Sequence, residues 1–260
     1  NPDIPRMAVG GGLCVVPSAT SRAAVVAYDV NSGEQVWTFA FPDRDGTQPG
    51  DIAAGDGVFY VAGTGNRIWR IDTSGHLLAQ FTVPAPNPFP LKVSGDVLFG
   101  IGNGVSYGKP YSLYAADGST GQNLWTIPLY WNDGADTAGT MAVGDDNVYV
   151  ADTTSDGIRS TLTARNARTG KTAWRKSWAG NAAAGTPLAF GTRGPGVAGT
   201  VLIGIEQTVC ALNAATGREL WQRTLTGPIS AITVDGTVAY ASTSVITAST
   251  STGHLYAIQL

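Results

Sequence analysis

The chain has 260 residues, of which 13% are charged, and a formal net charge of −3. With no run of Lys or Arg, it lacks the electrostatic footprint of a nucleic-acid-binding protein. No stretch of 18 apolar residues is present to cross a membrane as a helix, and 34 glycines suit tight turns between strands.

The predicted elements follow one grammar from the N-terminus onward. Met7-Ala8-Val9 leads to Leu13-Cys14-Val15-Val16, and a third strand ends in Ala27-x-Asp29. Ser32-Gly33 then turns the chain into a fourth strand at Trp37. Ile52-Ala53-Ala54 and Val58-Phe59-Tyr60-Val61 restart the cycle across Gly55-Asp56-Gly57. This second copy is degenerate: Ile71-Asp72-Thr73-Ser74-Gly75 is one residue short, and Ala79 stands where Trp belongs. Leu91-Lys92-Val93 and Val97-Leu98-Phe99 precede Ala115-x-Asp117-x-x-Thr120-Gly121-x-x-x-Trp125. Met141-Ala142-Val143 and Val148-Tyr149-Val150 precede Ala164-x-Asn166-x-x-Thr169-Gly170-x-x-x-Trp174. Leu188-Ala189-Phe190 and Val201-Leu202-Ile203 precede Ala211-x-Asn213-x-x-Thr216-Gly217-x-x-x-Trp221. The last copy runs from Ile232-Thr233-Val234 through Val238-Ala239-Tyr240 to Leu255–Leu260 and has no fourth strand.

Self-similarity at roughly 40–50 residues is the signature of a propeller or a solenoid. Each unit reads as four short strands rich in β-branched and aromatic residues, joined by Gly/Asp turns. The expected fold is therefore all-β: a six-bladed β-propeller of four-stranded antiparallel blades, with the last blade one strand short. It is read as one domain over 1–260, with repeats at about 7–51, 52–90, 91–140, 141–187, 188–231 and 232–260. Residues upstream of Asn1 or downstream of Leu260 are expected to complete the last blade, which makes the chain an excised part of a longer protein. A three-stranded final blade is the alternative.

The repeated phrase has a structural reading. Asp or Asn accepts backbone N–H groups and stabilises the turn, Gly takes positive φ, and Trp brings a large apolar ring with one N–H donor. Trp37, Trp125, Trp174 and Trp221, with Gly33, Gly121, Gly170 and Gly217, are thus expected to lock blade to blade. Cys14 and Cys210 lie in different repeats inside apolar strands and are expected to be buried free thiols.

This phrase resembles the tryptophan-docking motif of the PQQ-like, or quinoprotein-type, β-propellers, and the resemblance covers nearly the whole chain. That family includes pyrroloquinoline-quinone-dependent dehydrogenases. It also includes non-enzymatic members: the outer-membrane assembly lipoprotein and sensor domains attached to bacterial serine/threonine kinases. Its enzymes are similar in carrying an adjacent Cys-Cys pair, a Ca²⁺ site and a catalytic Asp. This chain has no Cys-Cys, and none of its residues matches the calcium ligands or the base. The expectation is a non-catalytic member with no catalytic residues, no cofactor and no metal.

Alternation of strand direction sorts the loops. Turns between strands one and two, and three and four, share one end and are tight. Loops between strands two and three, and from blade to blade, share the other end and are expected to be longer. Function concentrates on such loops. They carry Asp43–Asp51, Pro84–Pro90, Gly102–Tyr111, Tyr130–Asp136, Asp152–Arg159, Trp178–Asn181 and Ser242–Thr252. Tyr107, Lys109, Tyr111, Trp131, Asp133 and Trp178 are the ligand-binding candidates. The four aromatics outside the repeat, Trp131, Trp178, Tyr107 and Tyr111, form either a platform for a peptide, glycan or small molecule or packing over the blade tops. Asp43-x-Asp45-Gly46 and Asp133-x-x-Asp136 are oxygen-rich but read as turn formers rather than a Ca²⁺ site. His76 and His254 have no second His or Cys at ligand spacing, which argues against zinc.

The leading functional expectation is a ligand-binding or sensor domain on the extracytoplasmic side, such as the outer part of a receptor serine/threonine kinase. A protein-assembly scaffold with a protein partner is the alternative, and a quinoprotein dehydrogenase or propeller lyase comes third.

Overall fold

The computed structural model describes residues 7–18, 24–42, 48–102, 111–129, 140–144, 146–153, 159–179, 188–191, 199–246 and 251–260. Every element among them is a β-strand, and every strand pairing is antiparallel. The chain divides into two compact units, Asn1–Tyr130 and Trp131–Leu260.

The first unit holds three four-stranded sheets. Sheet 1 comprises β1 (Ala8–Gly10), β2 (Leu13–Pro17), β3 (Ala24–Asp29) and β4 (Gln35–Ala40). Sheet 2 comprises β5 (Ile52–Gly55), β6 (Val58–Ala62), β7 (Arg67–Asp72) and β8 (Leu77–Thr82). Sheet 3 comprises β9 (Leu91–Ser94), β10 (Val97–Gly102), β11 (Tyr111–Asp117) and β12 (Asn123–Leu129). The second unit holds sheet 4, with β13 (Thr140–Val143), β14 (Asn147–Thr153), β15 (Arg159–Asn166) and β16 (Thr172–Ala179). Sheet 5 follows with β17 (Leu188–Gly191), β18 (Thr200–Ile205), β19 (Thr208–Asn213) and β20 (Glu219–Thr224). Sheet 6 has three strands, β21 (Ile229–Asp235), β22 (Val238–Ile246) and β23 (Ser251–Gln259).

In every sheet the strand order follows the sequence, because each connection is a hairpin between neighbours. The middle strands are buried on both faces and read as continuous apolar runs: all six residues of β10 and all six of β18 are buried. The fourth strands are exposed or half-buried over most of their length, and from Trp174 to Ala179 β16 alternates between half-buried and exposed, as a strand with one covered face does. Apolar layers fill the spaces between consecutive sheets within each unit. Val25, Phe41, Val61 and Trp69 lie between sheets 1 and 2, and Tyr60, Leu91 and Tyr114 between sheets 2 and 3. Leu162, Ile203 and Leu212 lie between sheets 4 and 5, and Leu202, Ile229 and Ala239 between sheets 5 and 6.

The repeated phrase folds identically in each clear copy. Asp29 Oδ1 accepts the N–H groups of Asn31 and Ser32 at 2.9 and 2.8 Å, and Gly33 N–H returns to the Asp29 carbonyl at 2.9 Å. Thr120, Thr169 and Thr216 donate their N–H groups in the same way to Asp117, Asn166 and Asn213, at 2.8, 3.0 and 3.0 Å. Only the Oδ1 acceptor is used, so Asp and Asn serve equally well.

The tryptophan then docks on the next sheet. Trp37 Nε1 donates to the Thr73 carbonyl at 2.9 Å, and Trp174 Nε1 to the Ala214 carbonyl at 2.9 Å. Both acceptors immediately follow the Asp or Asn of the next copy. The indole lies over that copy's turn glycine: a Cβ on Gly75 would meet Trp37 at 2.9 Å, and one on Gly217 would meet Trp174 at 2.6 Å. Glycine is therefore needed twice there, for positive φ and for the close approach of the ring.

The degenerate copy keeps the contact by another route. Ala79 pairs with Arg70, and Phe81, two residues on and on the same face, packs its ring where a Cβ on Gly121 would come within 2.4 Å. Trp125 is 9% exposed and lies 6.2 Å from the Phe99 ring, and Trp221 packs against the apolar layer between sheets 5 and 6. Gly33 and Gly170 take positive φ, at 71° and 68°.

Three local features differ from the sequence reading. The sixth unit begins at Ile229 rather than near 232, because a register shift between Ile229 and Ala231 lets β21 continue upstream. The loop between strands two and three of sheet 5 is a two-residue turn, Glu206-Gln207, with Glu206 at φ 50°, so that end is not uniformly long-looped. Cys210 is buried, but Cys14 is only half-buried; its thiol lies 3.8 Å from Met7 Sδ.

Candidate functional site

The long-loop end of the first unit carries a cleft of about 220 Å³. Its walls are Gln48 and Pro49 ahead of β5, Gly63 and Thr64 in the β6–β7 hairpin, and Asn87 and Pro88 in the connection from β8 to β9.

Each wall is tied to its neighbour. Gln48 N–H donates to Thr64 Oγ1 at 3.0 Å, and Gly50 N–H to the Ala62 carbonyl at 2.6 Å. Asn87 sits at φ 48°, a conformation that Asn tolerates better than most residues, flanked by Pro86 and Pro88. There it exchanges two bonds with Gly65: Gly65 N–H donates to Asn87 Oδ1 at 3.1 Å, and Asn87 N–H donates to the Gly65 carbonyl. Asn66 Nδ2 adds a bond to the Val83 carbonyl at 3.1 Å. Beneath the cleft, the buried Asp51 carboxylate accepts Leu91 N–H at 2.7 Å and stitches the entrances of sheets 2 and 3.

No lining residue carries a charge. The cleft therefore offers amide and hydroxyl groups beside two proline rings, which suits a neutral hydrogen-bonding group. Its volume is below the roughly 300–1,000 Å³ that encloses a drug-sized ligand, so it accommodates one ring or one side chain.

The second unit has a polar row near the same strand ends. Asp152, Thr161 and Ser177 stand in register across β14, β15 and β16, and Thr161 Oγ1 lies 3.1 Å from Ser177 Oγ. Burial raises the Asp152 carboxyl above its ordinary range, and the Arg175 charge opposes the shift.

Of the candidates, Tyr111 opens β11 opposite Leu129, and is half-buried. Trp178 lies near the end of β16 opposite Ser160, half-buried against the apolar layer between sheets 4 and 5. Lys176 Nζ stands 5.4 Å from the Trp178 ring and 2.8 Å from Glu219 Oε2 on β20. Tyr111 and Trp178 belong to different units. Tyr107, Lys109, Trp131 and Asp133, like Asp43, Asp45 and Asp136, lie outside the described residues. Gln48 and Asn87 lie in loops that the sequence places at the functional end, but neither they nor Thr64 are among its binding candidates. The available signal was Asn between two prolines, a position preset for a fixed loop.

Six successive antiparallel sheets built on one repeat define a six-bladed β-propeller whose last blade has three strands among the described residues. Residues 21–179 and 158–259 match the family model described as outer membrane protein assembly factor BamB, and the chain belongs to this family of PQQ-like propellers. No curated protein matches the chain.

Among solved structures, it is similar to BamB from Moraxella catarrhalis, with 18% identity over 91% of this chain and 81% of that one, at a TM-score of 0.50. It is also similar to a chain of Kuenenia stuttgartiensis hydrazine synthase, with 14% identity, coverage of 98% and 83%, and a TM-score of 0.67. A third is the quinohemoprotein alcohol dehydrogenase of Comamonas testosteroni, with 14% identity, 93% of this chain covered and a TM-score of 0.61; this chain spans only 51% of that one. At such identities the likeness is one of fold. Among the described residues no group of three His, Cys, Asp or Glu side chains converges. No helix among them is long and apolar enough to cross a membrane.

Proposed function

We propose that this propeller is a non-catalytic binding or sensor module, presented outside the cytoplasmic membrane by a larger protein such as a receptor serine/threonine kinase. The observation that carries this reading is the uncharged cleft at Gln48, Thr64 and Asn87, whose walls are hydrogen-bonded to each other. A site prepared in this way loses little ordering entropy on binding, which is what a recognition surface on a rigid scaffold requires. Its ligand is a small neutral molecule, a sugar unit or one residue of a peptide.

The family description favours a second reading, a scaffold in protein assembly whose partner is another protein. One experiment separates these readings. Thermal unfolding is followed with a panel of sugars, neutral peptides and metabolites, beside pyrroloquinoline quinone with Ca²⁺. A ligand at 100 times its dissociation constant adds about 2.7 kcal/mol of stability. The sensor reading expects a shift with a neutral ligand that Asn87→Ala weakens. A shift with quinone and calcium together overturns the non-catalytic reading. A flat panel, with capture of a folded partner domain instead, moves the function to assembly.

A further inference from the structure

We infer that the groove between sheets 2 and 3 holds a carboxylate-binding site, in which the Arg70 guanidinium and the Tyr60 hydroxyl are the donors. The ligand is a carboxylate carried by a free organic acid or by an acidic side chain of a peptide. The site lies at the tight-turn end of β7, away from the loop cleft, and does not rest on the sensor reading.

The repeat shows what normally fills this place. A row of register partners crosses each sheet towards the one that follows. In sheet 1 it is Ala8, Val15, Ala27 and Trp37. In sheet 4 it is Ala142, Tyr149, Ala164 and Trp174, and in sheet 5 Ala189, Leu202, Ala211 and Trp221. In sheet 2 the row reads Ala53, Tyr60, Arg70 and Ala79. The pair of alanine and tryptophan has become a pair of arginine and alanine, so a cation enters a row that is elsewhere uncharged in these sheets.

The sheet 4 row is satisfied. The Tyr149 hydroxyl and Trp174 Nε1 both donate to the Ala214 carbonyl, at 3.0 and 2.9 Å. Sheet 2 keeps the tyrosine, and Gly118 follows Asp117 as Ala214 follows Asn213, yet the matching bonds are missing. The Tyr60 hydroxyl lies over Gly118 itself, 2.6 Å from where a Cβ would stand, and no described residue pairs with it. Arg70 Nε is buried without an acceptor, and its guanidinium has no ion pair among the described residues. The carboxylates of the adjoining turns are spent elsewhere. Asp72 accepts the N–H groups of Ser74 and His76, and Asp117 those of Ser119 and Thr120.

A buried donor without an acceptor is costly, and a charged one more so. Leucine or methionine would fill the groove beside Phe81 without that cost, so packing alone does not account for Arg70. What the row lacks is an acceptor. A carboxylate supplies one, because its planar pair of oxygens matches the guanidinium fork and forms charge-assisted bonds. A ligand can reach the row, since Arg70, Ala79 and Phe81 are each half-buried. Ala79 also leaves off the indole that closes the same place in sheets 1 and 4. Phe81, whose ring covers Gly121, gives the site an apolar wall.

The test follows the Arg70 Nε–H resonance of the nitrogen-15-labelled 260-residue chain during titration with two probes. One is succinate, a free acid; the other is the peptide acetyl-Gly-Glu-Gly-amide. The expected result is a saturable shift of that resonance, and the tighter probe identifies the source of the carboxylate. Arg70→Gln weakens binding by about tenfold or more, as loss of a charged hydrogen-bond partner does, and Tyr60→Phe weakens it by about threefold. Neither change alters the far-ultraviolet circular dichroism, and Asn87→Ala leaves the affinity unchanged. The double variant Arg70→Ala with Ala79→Trp restores the sheet 4 row and no longer binds. Absence of a saturable shift overturns the inference, as does a double variant or Arg70→Gln that binds like the parent chain. An equal response to acetyl-Gly-Gln-Gly-amide, or tighter binding of inorganic phosphate than of either probe, overturns the assignment to a carboxylate.

Discussion

Gly33 and Gly217 occupy the same place in the repeat, at φ 71° and 69°, but only Gly217 lies beneath a tryptophan. Alanine at either position must adopt a left-handed backbone, which costs about 1–2 kcal/mol. At Gly33 nothing lies within 4 Å of the added Cβ, so the backbone cost is the whole effect. At Gly217 the Cβ would lie 2.6 Å from Trp174 Cδ2, and the indole must move away from its bond to the Ala214 carbonyl. Overpacking of that kind costs a further 1–3 kcal/mol or so. Gly217→Ala should therefore destabilise by about 1–3 kcal/mol more than Gly33→Ala. Urea unfolding followed by Trp fluorescence and by circular dichroism measures both, and agreement of the two probes checks that a single transition is compared. Equal losses in the two variants would refute the argument that indole docking, rather than φ alone, demands glycine.

Tyr114 is fully buried, its hydroxyl has no partner among the described residues, and burial raises its pKa far above the ordinary phenol value; Tyr114→Phe should stabilise by about 1 kcal/mol, seen as a higher Tm. The Asp117 carboxyl is held down to about 2 by hydrogen bonds from the Ser119 and Thr120 hydroxyls and the Thr120 N–H. A folded-state pKa below the unfolded one gives stability that is present above pH 4 or so and lost as pH falls towards 2. Asp117→Asn keeps the turn, as Asn166 and Asn213 do, and should flatten that part of the stability–pH curve in melts from pH 5 to 2. Phe81→Ala removes the ring that covers Gly121 and should cost about 2–4 kcal/mol, whereas Leu78→Ala, at a side chain 46% exposed in the same strand, should cost under 1 in the same denaturation assay. Asn87→Gly keeps the left-handed backbone but loses the Oδ1 bond to Gly65, so limited proteolysis should cut the Gly63–Asn66 hairpin faster than in the parent chain.

Much of the blade was legible in the chain because it is local. The Asp29 turn closes within four residues, so its Oδ1 bonds and the positive φ of Gly33 follow from residue types at fixed spacing. The hairpins at Gly55–Gly57 and at Asp235-Gly236 are of the same kind. Phe81 was missed for a physical reason. Side chains alternate with period two, so a ring displaced by two residues stays on the same face, and a motif aligned residue by residue does not see it.

The cleft was harder still. Asn87, Gly65 and Gln48 come from three separate loops, and nothing in any one loop states that the others lie within hydrogen-bonding reach. The candidate aromatics were chosen for their chemistry. Trp178 is half-buried against an inter-sheet layer with Lys176 Nζ 5.4 Å from its ring, an arrangement that depends on the neighbouring sheet.

The sequence by itself determined the repeat, its turns and which strand faces are apolar, because periodicity and backbone preference act over a few residues. Only the tertiary structure decided which glycine lies under which ring and which loops bond into a cleft. Those outcomes depend on contacts between segments 16 to 40 residues apart, which packing sets and local propensity does not.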